Sequence, residues 1–189
     1  MPESSDIYFV TGNTNKFNEV KNILSSYKID VRMASLDLLE IQSDDLEVIA
    51  LEKAKDACNK LNAQVIVEDD GLFIRSLNGF PGPYSAYVFK TIGNKGIIEL
   101  MKQHNDRTST FRSVIAYCYP KNMALTFAAN VNGEISSEIR GTGWGYDPIF
   151  IPHNSAGLTY AELGNKKNEL SHRRLAVEKF ALWLQNYRK

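Results

Sequence analysis

The first 67 residues hold three short strand candidates, the apolar Ile7–Val10 and Val65–Val67 and between them Val31–Ala34, separated by two stretches of helical period. In the first stretch Phe17, Val20, Ile23, Leu24 and Tyr27 recur at three- and four-residue steps, which places them on one helix face. In the second, from Glu47 to about Leu61, the residues Ile49, Ala50, Ala54, Ala57, Cys58 and Leu61 share an inward face. Strands that alternate with helices in this way restrict the chain to the α/β class.

Further along, Thr110–Tyr119 and Met123–Val131 read as two antiparallel strands joined by a turn at "PKNM". "NGE" at Asn132–Glu134 marks another tight turn, and Ile149–Ile151 a strand. A last helix, from about Leu170, aligns Ala176, Phe180, Trp183 and Tyr187. The β-rich middle makes the sheet mixed. No repeat, low-complexity tract or long linker divides residues 1–189, so a single domain is expected.

Composition narrows the function classes. Lys+Arg and Asp+Glu balance at 22 each, so no global field favours nucleic acid or an anionic membrane. Cys58 and Cys118 form no CxxC pair, and "MPESSDIYFV" has neither the basic region nor the apolar run of a secretory signal. A cytoplasmic, globular protein is the simplest reading.

Four loops carry chemistry. "TGNTNK" turns the first strand into the first helix, where unpaired backbone N–H groups and the helix dipole favour an anion. Gly12 lets backbone approach a ligand, Thr11, Asn13 and Asn15 offer polar contacts, and Lys16 adds positive charge. The stretch fits neither GxxxxGK[ST] nor GxGxxG, and an N-capped helix accounts for the same residues. "VEDDG" ends an apolar strand in three consecutive carboxylates, whose repulsion a magnesium ion relieves. If that strand stays extended, Glu68 and Asp70 share one side and Asp69 projects to the other. Glu40 is a second acidic source, in the connection before the Glu47 helix; a solvated acidic turn is the alternative.

"GTGWGYD" leads into Asp147-Pro148 and a strand, which argues against a dinucleotide role. Trp144 beside glycines supplies either a flat wall for a planar base or core packing, with Asp147 as an acceptor. "KKNELSHRR" gathers Lys166, Lys167, His172, Arg173 and Arg174 at a helix start, with Ser171 placed as its N-cap. Cations there oppose the helix dipole, and an anionic or carbonyl-bearing ligand offsets that cost.

Taken in order, "FVTGNTNK", "ALEKAKDA", "VEDDGL", "NGFPGPYS", "WGYDPIF", "TYAEL" and "SHRR" resemble the inosine triphosphate pyrophosphatase (Ham1-like) family almost end to end, with wording closest to archaeal members. The resemblance implies an elongated mixed sheet with flanking helices, two lobes around a nucleotide cleft, and a homodimer. It implies magnesium-dependent hydrolysis of ITP, dITP and XTP to the monophosphate and pyrophosphate. Thr11, Gly12, Asn13 and Lys16 match the triphosphate motif, and Lys53 the lysine of the following helix. Glu40 matches a metal-site glutamate, and Asp69 the catalytic acid that also approaches metal. Trp144, Gly145, Tyr146 and Asp147 match the base-binding loop, and Lys167, His172 and Arg173 the C-terminal base-recognition group. Asp70 stands where a small hydroxyl residue is usual, and Lys166 where an acid is common, so Lys166 or the metal is expected to compensate for Asp70. Two alternatives remain open: another modified-base preference, or a nucleotide sensor that binds without cutting.

Overall fold

The computed structural model describes residues 6–120 and 124–187, so the "KNM" of the expected turn lies outside the described residues. β1 (Ile7–Val10), α1 (Thr14–Ser25), β2 (Val31–Ala34) and α2 (Leu46–Leu61) follow the sequence periods closely. α1 stops short of Tyr27, which packs partly buried against the core from the turn beyond. β3 (Val65–Ile74) comes next, then β4 (Pro81–Gly82), α3 (Ser85–Thr91) and α4 (Gly93–Leu100). β5 (Thr108–Cys118), β6 (Ala124–Ile135) and β7 (Phe150–Pro152) complete the strands. The helices α5 (Tyr160–Leu163), α6 (Lys167–Leu170) and α7 (His172–Tyr187) close the chain.

The seven strands form one open sheet in the order β2-β1-β3-β5-β6-β7, with β4 paired to β3 off that path. β1 runs parallel to β2 and to β3, whereas β4 is antiparallel to β3 and β7 to β6. The sheet is therefore mixed, as the sequence implied. Among the described residues no helix is long and apolar enough to cross a membrane.

The chain divides into two compact units. The first comprises the residues up to Asp69, Ser113–Ala129 and the chain from Arg173; the second comprises Asp70–Arg112 and Asn130–His172. Each unit has its own apolar core. Phe9, Val20, Leu24, Ile66, Ile115 and Phe180 centre the first, with Phe17, Phe127 and Trp183 packed on it. Leu72, Ile97, Phe111, Ile149, Phe150 and Tyr160 centre the second. Residues that alternate in β5 or recur in the helices thus fall into two clusters rather than one. Tyr187 differs from its helix partners: it is 70% exposed and stacks on Trp183 at 5.1 Å, at the end of the buried stripe.

One expected turn, and one stretch for which a turn is the alternative, are strand instead. The acidic triplet does not end β3, which continues through it to Ile74. Asn132–Glu134 also lies inside β6, so "NGE" is no turn. The reason for Gly133 is close approach: a Cβ there would stand 2.3 Å from the Ile151 carbonyl oxygen of β7 and 2.8 Å from the Phe150 ring. Backbone cannot yield as a flexible side chain can, so Gly133→Ala is expected to cost about 1–3 kcal/mol by overpacking. Chemical denaturation checks this, and an unchanged midpoint would contradict it.

Both cysteines are buried free thiols. Burial, and then the neighbouring Cys118, push the Cys58 thiol up to about 12. A protonated, enclosed thiol is neither a nucleophile nor a ready metal ligand.

Candidate active site

The first unit assembles a lysine and carboxylate centre. Asn13 caps α1: its Oδ1 accepts from the backbone N–H of Asn15 at 2.9 Å and of Lys16 at 3.2 Å. Thr11 Oγ1 accepts from the Asn13 N–H at 3.1 Å. The loop is thus an N-capped helix start, with the N–H groups of Asn13, Asn15 and Lys16 satisfied internally. Gly12 is exposed, has no positive φ, and a Cβ would meet nothing within 4 Å. No packing contact among the described residues demands glycine there, so the position is open to solvent.

β3 alternates as an extended strand must. Glu68 is fully enclosed and turns toward α1 and α7: its Oε2 lies 2.8 Å from Lys16 Nζ. Its Oε1 accepts from Ser113 Oγ at 2.7 Å and from Arg173 Nε at 3.2 Å. Arg173, itself 1% exposed, also donates through Nη1 to Glu19 Oε2 at 2.5 Å. Asp69 points the other way, toward α2, where Lys53 Nζ donates to its Oδ1 at 2.7 Å. Lys53 also reaches Glu40 Oε1 at 2.7 Å.

Burial holds the Asp69 carboxyl above its ordinary range, although Lys53 and Lys16 pull the other way. Burial works against the Lys53 ammonium too, but Asp69 and Glu40 outweigh it and raise its pKa. Asp69 Oδ2 is buried without a hydrogen-bond partner among the described residues. A buried acceptor left over in this way has a desolvation cost that a ligand can recover. Among the described residues no cluster of three or more His, Cys, Asp or Glu side chains is arranged to hold a metal. Two carboxylates that converge on one ammonium, one with a spare oxygen, still suit a hard cation completed by water and phosphate.

The second unit assembles an aromatic set on the loop from Arg140 to Pro148. Lys167, only 5% exposed on α6, lies 2.8 Å from Asp147 Oδ2 and sits over the Trp144 ring at 4.9 Å. Trp144 is half-buried, so it serves neither as a fully enclosed core residue nor as a free surface one. Tyr146 is core: its hydroxyl donates to the Ser85 carbonyl at 2.8 Å and its ring meets Phe89 edge-on. Burial, with the Asp70 charge second, raises its pKa. Gly145, between the two aromatics, has φ +60°, and no Cβ clash explains it, so the left-handed turn itself requires glycine.

His172 stacks on Phe111 with ring centroids 4.1 Å apart and 6° between planes. Its Nε2 lies 3.9 Å from Asp70 Oδ2. The expected "KKNELSHRR" helix start is in fact split: α6 ends at Leu170, Ser171 is extended, and α7 begins at His172. Lys166 is exposed in the turn before α6, and one contact of Asp70 is with His172. Glu19, Ser113 and Phe111 belong to these networks but have no motif of their own. Their only sequence signal is a polar or aromatic residue on the inward phase of a helix or strand.

These two sets define a class, an α/β protein that combines a buried lysine–carboxylate centre with a lysine- and histidine-lined aromatic loop. The chain belongs to the Ham1 family, whose model matches residues 7–183. It is 50% identical over 182 residues to the dITP/XTP pyrophosphatase of Methanopyrus kandleri, covering 95% of this chain and 96% of that one. The dITP/XTP pyrophosphatase of Methanosarcina acetivorans is 48% identical over 94% of this chain and 96% of its own. Among solved structures, the Staphylococcus aureus Ham1 protein matches with a TM-score of 0.82 at 29% identity, over 96% of this chain and all of that one (100%). A HAM1 protein from Coxiella burnetii matches with a TM-score of 0.84 at 27% identity, over 96% and 99%.

Proposed function

We propose that the protein hydrolyses the non-canonical purine nucleotides ITP, dITP and XTP to the nucleoside monophosphate and pyrophosphate, clearing them from the nucleotide pool. The observation that carries this reading is Asp69: one oxygen held by Lys53, the other buried without a partner among the described residues. Relatives with 50% and 48% identity over nearly the whole chain bear the name dITP/XTP pyrophosphatase. A carboxylate fixed at one oxygen and spare at the other is placed to orient a water and take its proton.

Attack at the α-phosphorus expels pyrophosphate, and charge gathers on the leaving oxygens. Lys16 and Lys53 neutralise that charge, and the carboxylates they touch hold their ammonium groups ready. Glu40 and Asp69 are the residues that would hold a magnesium ion, which supplies Lewis-acid stabilisation of phosphate oxygens when bound. In the second unit Trp144 provides the face for the base. Hypoxanthine and xanthine present an acceptor at O6 and a donor at N1, so His172 or Lys167 donates and Asp147 accepts. Adenine reverses both edges and leaves buried groups unpaired, a mismatch worth roughly 10⁴ or more in preference. The same reading carries a homodimer, a cytoplasmic location, and neither nucleic acid nor membrane as partner; the balanced charge supports the last two.

Purified protein with ITP and magnesium tests the reaction by product. Pyrophosphate with inosine monophosphate is the expected outcome, and removal of magnesium by a chelator should stop it. Orthophosphate as first product would overturn α-phosphorus attack. Binding without product would make the protein a sensor.

A further inference from the structure

The loop that carries Trp144 is pinned at its start, at Arg140, and over the residues that follow Trp144. Arg140 is tied to Glu162 at 2.8 Å, and its carbonyl accepts from Thr159 Oγ1 at 3.1 Å. Tyr146 is anchored on Ser85, while Asp147 is anchored by its side chain on Lys167 and by its carbonyl on the Ala161 N–H at 3.1 Å. Gly145, in the left-handed turn between the two aromatics, is held from outside the loop by Asn94, whose Nδ2 donates to its carbonyl at 3.0 Å.

Asn94 lies in the first turn of α4, just after Gly93, which opens that helix with φ +61° one residue beyond the Ile92 that follows α3. Its other amide atom, Oδ1, is buried and has no hydrogen-bond partner among the described residues. A half-satisfied buried amide costs stability, and an aliphatic side chain at this position would avoid that cost. Among the described residues, the one hydrogen bond that the amide makes is to the residue adjoining Trp144.

We infer that Asn94 is a positioning residue for substrate: it fixes the Gly145 carbonyl and, through that turn, the angle at which Trp144 presents its face to the purine. The inference rests on the base-reading role proposed for the loop. Without the amide the turn keeps its glycine but loses its only tie to α4 among the described hydrogen bonds, and Trp144 samples more orientations. The effect falls on nucleotide binding and leaves the Lys53–Asp69 chemistry untouched.

The test compares wild type, Asn94→Ala and Asn94→Asp by ITP affinity from Trp fluorescence, by kcat with ITP, and by backbone hydrogen exchange across residues 140–148. Asn94→Ala should weaken ITP binding roughly three- to tenfold, the change one neutral hydrogen bond commands. Its kcat at saturation should stay within about twofold, and amides of the loop should exchange faster. Asn94→Asp should behave at least as badly, since an ionised carboxylate cannot donate to a carbonyl and repels it. Unchanged ITP affinity in both variants overturns the inference, even if loop exchange rises. So does a fall in kcat at constant affinity, or a loss of thermal stability that accounts for the weaker binding. A wild type that binds no ITP would instead remove the functional reading together with the inference, so the two failures are distinct.

Discussion

Asp69→Asn is expected to lose about 10²–10⁴ in turnover, the range that a positioned general base contributes. The same variant should bind ITP within a few-fold of wild type and fold normally. The amide keeps the size of the carboxyl and can still accept from Lys53, so the geometry around Lys53 Nζ, with Glu40 also 2.7 Å away, is retained. What it lacks is the capacity to take a proton and the charge that would help Glu40 hold a magnesium ion, so the binding titration is run without metal as well as with it. Two effects on stability oppose each other: a neutral isostere removes the burial cost of the charged Asp69, but it also takes from the Lys53 ammonium its first charge partner, leaving Glu40, so a modest loss is expected. The variant therefore separates chemistry from binding and from folding. Single-turnover kinetics with ITP, beside a binding titration, make the measurement. Turnover within tenfold of wild type would remove Asp69 from the role of base.

The parts of this molecule written in local sequence were legible, and the parts decided by distant partners were not. β1, α1, β2 and α2 followed from apolar spacing, because each buries one face and repeats with its own period. The length of β3 did not follow, since three carboxylates in a row look like the end of a buried strand. They stay in the strand because Lys16, Lys53, Arg173 and His172, from three separate helices, each meet one of them. Gly133 misled for a related reason: glycine near asparagine suggests a turn, yet here it admits the backbone of β7. The motif residues of the site were nameable from resemblance. Their pairings were not, and neither was Asn94, which belongs to none of the motifs and meets Gly145 only through the fold. The alternation of Glu68 and Asp69 was legible, because it depends on nothing but an extended backbone.

The pairing matters most at Arg173, where sequence placed a base-recognition contact. The structure gives its Nε to Glu68 and its Nη1 to Glu19, with the side chain almost wholly enclosed. Arg173→Ala is accordingly expected to destabilise the protein by about 3–5 kcal/mol, the cost of stranding a buried charge. For a chain of this size that corresponds to a fall in Tm of roughly 6–20 °C. Glu68 is the charge left behind; Lys16 and Ser113 remain beside it, so the loss should be large but not complete. Neutralising it in the double variant Arg173→Ala, Glu68→Gln should recover part of the stability, because an amide is cheaper to bury than an unpaired carboxylate. Arg173→Lys should recover less than its charge suggests, since one ammonium cannot span two carboxylates as a planar fork does. Thermal and urea denaturation of the three variants decide the matter. If Arg173→Ala melts with wild type, the network is dispensable, and any drop in ITP over ATP preference reports a direct contact with the base. If it melts early, such a drop reports a displaced Lys16 and Glu68, and His172 or Lys167 must carry the O6 contact.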